Sequence, residues 1–381
     1  MTNRLRVAST GTTAPPNSVP TSPAPTSAAP ADGPVTGRPA PRAASGRRGL
    51  HPARRPVLLG ASLCVLALLC ALSIAIGSRP VPLDQVLRVL IHRDDGDVEA
   101  IVWGLRVPRT LLGLLVGAAL GLAGTIMQTL TRNPLADPGL LGVSAGATLA
   151  VVLSVSAFGL TSLYGYIWFA FAGALAASVL VYLLGAAGRS GPTPVKLALA
   201  GVGVTALLGS LTSAIALTNP EALNRYRYWS AGSIAGRDGT LVAQAAPFVL
   251  TGVVLALMLA PGLNSLALGD DVAAALGRRV GLIRLQGAVA VTVLTGGAVA
   301  VAGPLVFIGL VVPHATRMIA GTDHRWLLPT SMALASCLIL AADVVGRVVA
   351  RPQEINVGII VAFLGAPFFV MLVRRRRLAE L

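Results

Sequence analysis

From residue 56 to residue 373 the chain alternates long apolar runs with short polar breaks, and these runs set the expected architecture. A helix that crosses about 30 Å of hydrocarbon needs about 20 apolar residues. On that ruler Pro56–Ser78, Thr110–Thr131, Leu197–Leu217, Gly239–Ala260 and Ile355–Val373 each make one span. The uncharged stretch Pro138–Gly188 makes two, breaking near Gly159–Gly165, and Trp326–Gly346 makes one more. Gly281–Ala320 supplies two shorter helices turning near Gly303-Pro304, where proline removes a donor and glycine allows the bend. The pattern predicts an all-α integral membrane protein of ten transmembrane helices, with both termini on the same side.

Composition agrees. Of 381 residues 54% are hydrophobic and 12% charged, against about 25% charged in an ordinary soluble domain, so a globule of this length would lack polar surface. The net charge of +15 raises the question of nucleic acid. The basic residues lie between the apolar runs instead of along one face, which excludes that partner. Residues 1–56 hold eleven prolines and eight arginines with Asp32 as their only acid. Such a segment cannot bury enough apolar surface to offset its ordering entropy, so it is expected to be disordered. The expected organisation is a tail over 1–56, a ten-helix transmembrane domain over 57–373 and a basic tail over 374–381. Lys and Arg are concentrated beside the termini and one set of loops, which places both termini in the cytoplasm; the expected location is the cell (inner or cytoplasmic) membrane.

Within the second span Gly113, Gly117, Gly121 and Gly124 lie at the small-xxx-small spacing, or near it, that lets helix backbones approach closely in lipid. Between spans six and seven, Gly269, Asp270, Asp271, Val272, Ala273, Ala274, Ala275, Leu276 and Gly277 spell a helix of about two turns. Asp270 or Asp271 suits its start and Gly277 its end. Val272, Ala275 and Leu276 share one face, which fits either a socket for a soluble partner or an interfacial helix against lipid.

Other chemistry is sparse. Cys64, Cys70 and Cys337 sit in apolar runs and read as small buried hydrophobes. His51, His92, His314 and His324 have no ligand spacing and read as ordinary loop histidines, so no metal site is expected. Asp343 is an acid within a span; Arg347 four residues on makes a local ion pair the better reading than a proton relay. Lys196 is the only lysine, and Pro192-Thr193-Pro194-Val195-Lys196-Leu197 is not the Gly-Lys-[Ser/Thr] of a phosphate-binding loop. Any ATP used is therefore hydrolysed by another chain.

Several ordered motifs carry a resemblance. Leu105-Arg106-Val107-Pro108-Arg109 is followed by Gly117-Ala118-Ala119-Leu120-Gly121-Leu122-Ala123-Gly124, Met127-Gln128 and Asn133-Pro134-Leu135-Ala136-Asp137-Pro138-Gly139. Gly303-Pro304, Phe307-Ile308-Gly309-Leu310-Val311-Val312-Pro313-His314, Thr322-Asp323-His324-Arg325, Ala342-Asp343 and Gly365-Ala366-Pro367-Phe368 come later. Over residues 57–373 the chain resembles the iron-chelate, haem and cobalamin permeases of ATP-binding-cassette importers. The resemblance implies a cobalamin-importer-permease-like bundle with short cytoplasmic coupling helices. It also implies a second permease subunit, identical or related, two ATPase subunits, and an extracytoplasmic substrate-binding protein. ATP is then used by the partner ATPases and no cofactor is bound directly. A ferric siderophore is the expected cargo; cobalamin and haem are the alternatives within the family, and an ion-coupled secondary transporter or a membrane scaffold outside it. The same resemblance makes Gly269–Gly277 the ATPase-coupling segment. It makes Arg106, Arg109 and Arg347 docking sites for acids of the binding protein, against the plainer reading that Arg106 and Arg109 snorkel at the interface. Thr193, Pro194 and Val195 become a cytoplasmic gate, against the plainer reading of a proline-stiffened turn.

Overall fold

The computed structural model describes residues 54–93, 96–139, 142–187, 194–218, 226 and 229–377. Among the described residues the chain is helical and has no strand. Helix α1 (Arg54–Ala75) is followed by two short helices, α2 (Leu83–Ile91) and α3 (Asp97–Ile101), and a π turn at Val102–Arg106 leads into α4 (Val107–Leu130). Next come α5 (Val143–Phe158), α6 (Leu163–Ala186), α7 (Pro194–Thr218) and α8 (Gly239–Met258). The short helices α9 (Ala260–Ala267) and α10 (Asp270–Ala275) precede α11 (Val280–Ala302), α12 (Ile308–Ala320), α13 (His324–Val349) and α14 (Val357–Arg377).

Seven of these helices are long and apolar enough to cross a membrane, and α5, α12 and α14 are shorter apolar helices. Together they are the ten that the hydropathy pattern predicts. Their boundaries follow local chemistry. The Ser162 hydroxyl accepts from the Gly165 amide at 3.2 Å and starts α6, the Asp238 carboxylate accepts from the Leu241 amide at 3.0 Å and starts α8, and Asp323 accepts from the Arg325 amide at 3.1 Å and starts α13.

The break between α11 and α12 falls where Gly303-Pro304 placed it. Gly303 has φ +76°, and a Cβ there would overlap the Trp229 carbonyl, so only glycine fits. Leu305 in the connection is buried. Non-helical backbone at membrane depth persists where protein covers it. Here the Ser233 amide donates to the Ala302 carbonyl at 2.8 Å.

The core lies along α4 and α11, each buried over 72% of its most apolar window, with α13 packed on α4. The α1 window is buried over only 11% and that of α7 over 17%. Uniformly apolar helices with so little protein cover turn their surface to lipid or to another subunit. The amphipathic α2 is absent from the sequence-based expectation because its nine residues are too few to register as a span. It buries Val86 and Val89 against Val102.

Candidate functional site

The functional features collect at the two ends of the bundle. At the end where α1 begins, α9 and α10 form a helical elbow. Gly269, with φ +116°, separates them, and Gly277, with φ +73°, ends α10. The Arg278 amide reaches the Ala273 carbonyl at 3.0 Å and the Gly277 amide reaches the Ala274 carbonyl at 2.9 Å. This paired closure needs a left-handed residue at Gly277. Neither Asp270 nor Asp271 caps the helix: Gly269 occupies the cap position and no side chain bonds there. Asp270 instead forms ion pairs with Arg132, after α4, and with Arg284, in α11, at 2.8 Å. Ala273 packs inward, while Val272 is 45% exposed, Leu276 60% exposed, and Ala275 and Asp271 are exposed.

A buried polar knot joins this elbow to the core. Asn264 of α9 accepts at 2.8 Å from the His324 backbone amide, lies 2.8 Å from His324 Nδ1, and donates to Asp323 at 2.8 Å. His324 Nε2 lies 2.8 Å from the Thr129 hydroxyl of α4. His324 is therefore the buried first residue of a helix and not the loop histidine that its lack of ligand spacing implied. Arg55 approaches Asp323 at 3.4 Å, drawing the start of α1 to the same point. Partial burial raises the Asp323 carboxyl, but the Asn264 and Arg325 hydrogen bonds and the Arg55 charge outweigh it, holding the group below the usual carboxylate range. Nothing in the sequence pairs Asn264 with His324, which are sixty residues apart.

At the opposite end the three arginines expected to receive a partner are turned inward. Arg106 is buried and donates to the carbonyls of Ile74 at 2.9 Å, Ala75 at 2.7 Å and Arg79 at 2.8 Å. Arg347 is 1% exposed; it donates to the carbonyls of Ser73 at 2.8 Å and Ile76 at 2.9 Å, to the Ser73 hydroxyl at 2.7 Å, and to Asp343. Arg109 clasps Asp343 through Nε at 3.0 Å and Nη2 at 2.6 Å, and Glu354 through Nη1 at 2.6 Å. In this structure the guanidiniums of Arg106 and Arg347, both expected to dock a partner, are enclosed by the chain's own groups. They do not snorkel: the last carbonyls of α1 have no partner within their own helix, and these arginines satisfy them. The Asp343–Arg347 pair is as expected, with Arg109 as a third member. Burial raises the Glu354 carboxyl, but Arg109 and a Ser78 hydrogen bond draw it below its usual range.

Of the gate residues, Thr193 lies outside the described residues, Pro194 opens α7, and Val195 is exposed on it. The glycines of α4 do meet neighbouring backbone. A Cβ at Gly121 would come within 2.6 Å of the Ser331 carbonyl, one at Gly117 would overlap the Ser336 backbone, and one at Gly124 the Gly309 carbonyl. At Gly113 the obstacle is the Leu340 side chain at 2.6 Å. A second close crossing sets Gly146 of α5 against Gly173 of α6, beside Ala177 and Ala150; Gly146/Ala150 and Gly173/Ala177 each lie at small-xxx-small spacing, but spacing alone does not say which helices meet. Cys64 is exposed on α1, contrary to expectation, while Cys70 is half-buried and Cys337 buried. Among the described residues no three His, Cys, Asp or Glu side chains gather as metal ligands.

These features define a polytopic helical membrane protein with a structured elbow at one end and an arginine-clamped opposite end. The chain belongs to the FecCD transport family, whose pattern matches residues 65–375. It is 47% identical over 323 residues to the ferric enterobactin transport system permease protein FepD of Escherichia coli (strain K12), covering 84% of this chain and 96% of that protein. The hemin transport system permease protein HmuU of Yersinia pestis is 38% identical over 327 residues, with 84% and 96% covered. A solved metal-chelate type ABC transporter in an inward-facing conformation superposes with TM-score 0.71 at 28% identity, covering 84% of this chain and 99% of its own.

Proposed function

We propose that this chain is the permease subunit of an ATP-binding-cassette importer for a ferric siderophore, supplying an alternating-access pathway while partner ATPases hydrolyse ATP. The observation that carries the reading is membership of the FecCD transport family along nearly the whole hydrophobic region. Cargo chemistry is taken from relatives whose names refer to ferric enterobactin and hemin. Two permease subunits, two ATPases and an extracytoplasmic binding protein complete the assembly. The arginine-rich termini support an orientation with both ends in the cytoplasm.

In this reading Gly269–Gly277 is the coupling segment. Exposed Val272 and Leu276 supply an apolar face for an ATPase cleft, and the Asp270 pairs with Arg132 and Arg284 pass its movement to α4 and α11. Thr193, Pro194 and Val195 are assigned as the cytoplasmic gate, an assignment supported by the exposure of Val195 at the start of α7. Docking of the binding protein is assigned to arginines exposed at the outer end, which include Arg79, Arg88, Arg93 and Arg351.

The test is reconstitution with the cognate ATPase and binding protein. Wild type should show ATP-dependent uptake of a ferric siderophore into vesicles. Leu276→Asp should leave the permease folded and lower uptake at least tenfold, because it puts a charge into the apolar contact. Gly277→Pro should do the same, since proline holds φ near about −65° and cannot adopt the left-handed turn. Normal uptake by both variants would overturn the coupling assignment, and failure of wild type to transport any ferric chelate would overturn the importer reading.

A further inference from the structure

At the outer end a cavity of about 480 Å³ opens within a single copy of the chain, between α5, the start of α6 and the segment that leads into α8. That volume lies in the range of small-molecule pockets, about 300–1,000 Å³. Valines of α5 and the rings of Tyr166, Tyr226 and Trp229 give it apolar walls, and Ser156, Asn356 and Arg237 add polar groups. Two of those groups are unsatisfied: Ser156 Oγ and Arg237 Nε are buried without a hydrogen-bond partner. Among the described residues Arg237 has no carboxylate partner either, unlike Arg109, Arg132, Arg284 and Arg347.

An enclosed guanidinium nitrogen that has lost water and gained no acceptor is unfavourable unless a ligand completes it. The backbone around it is already fixed. The Gly232 amide bonds the Trp229 carbonyl at 3.1 Å, the Ser233 amide bonds the Ala302 carbonyl at 2.8 Å, and the Gly358 amide bonds the Gly232 carbonyl at 3.0 Å. The segment carrying Arg237 is therefore held against α11 and α14 before any ligand arrives, which lowers the ordering cost of binding.

We propose that this cavity binds an oxyanion carried on a flat apolar or aromatic body, with Arg237 as the charge partner, Ser156 and Asn356 as hydrogen-bonding groups and the aromatic rings as the walls. A charge-assisted contact to Arg237 fixes the anionic end, and the rings offer apolar surface to the body of the ligand. The inference rests on the importer reading and deepens it, because it assigns the imported chelate an anionic aromatic or apolar-flanked group that docks here.

The test uses salicylate and salicylamide, which match in size and differ in charge, titrated calorimetrically at neutral pH into the full-length protein in lipid nanodiscs. Salicylate should bind at least tenfold more tightly than the amide. Arg237→Gln should abolish that preference while Arg237→Lys retains part of it. Asn356→Asp, which sets a carboxylate in the same cavity, should also abolish salicylate binding and covers the case in which Arg237→Gln fails to fold. Equal binding of the two probes by wild type, or an undiminished preference in Arg237→Gln or Asn356→Asp, overturns the proposal. ATP-dependent uptake separates the two readings: uptake without an anion preference removes the cavity site and leaves the importer, whereas an anion preference without uptake of any ferric chelate does the reverse.

Discussion

At the scale of single residues, side chains of one type divide into roles that only their surroundings reveal. Asp343 is 1% exposed and bonded by both Arg109 and Arg347. Removing one partner of a buried charge pair leaves the other uncompensated, at a cost of about 3–5 kcal/mol. Asp343→Asn should therefore lower the thermal midpoint in detergent markedly. Arg79→Glu with Arg351→Glu should leave the midpoint nearly unchanged and weaken capture of the binding protein, measured by surface-immobilised binding at low and high salt. A large drop in midpoint for the surface pair, or none for Asp343→Asn, would contradict the division of roles. The acids outside the spans set the pH response. Asp323 and Glu354 both have carboxyls held below their usual range, so their stabilisation is present above the ordinary carboxylate range and is lost as pH falls through the lower folded-state values. Thermal midpoints should fall on acidification from about pH 5 downward, and Asp323→Asn should flatten part of that slope.

At the scale of elements, α4 shows how close packing replaces the hydrophobic force that lipid cannot supply. Its glycine face meets α13 at Gly117 and Gly121 and the start of α12 at Gly124, where added carbon would overlap backbone. Gly124→Val should separate α4 from α12 and lower both folded yield and thermal midpoint. Gly60→Val, on the lipid-facing side of α1 where a Cβ meets nothing within 4 Å, should be tolerated. Size-exclusion profiles and melting curves would show the contrast. The glycine spacing was visible in the sequence because it repeats within one helix. Small-residue spacing is also present at Gly146/Ala150 and Gly173/Ala177, but periodicity within a helix carries no information about its partner, so which helices cross was not legible. The same limit explains the elbow. The brevity of α10 and its Gly277 stop were readable locally, but Asp270 as a bridge to Arg132 and Arg284 depended on where α4 and α11 end in space.

For the whole molecule, the count of ten helices and the break at Gly303-Pro304 follow from the sequence, because burial in hydrocarbon imposes a length on every apolar run and leaves it legible residue by residue; the family was legible in the ordered motifs. Hydropathy carries no information on which helices become the core, and here α4 and α11 are enclosed while α1 and α7 lie at the edge. It likewise could not separate arginines that close the C-terminal end of α1 from those that face solvent, since both types flank spans at similar spacing. Asn264, His324 and Thr129 come together, and among the described residues Arg237 is left without a carboxylate partner, through contacts between residues far apart in the chain. What the sequence determined alone was the set of spans and their punctuation, which depend on local composition. The tertiary structure decided which of the described polar groups are satisfied and which are buried without a partner, because that depends on three-dimensional neighbours.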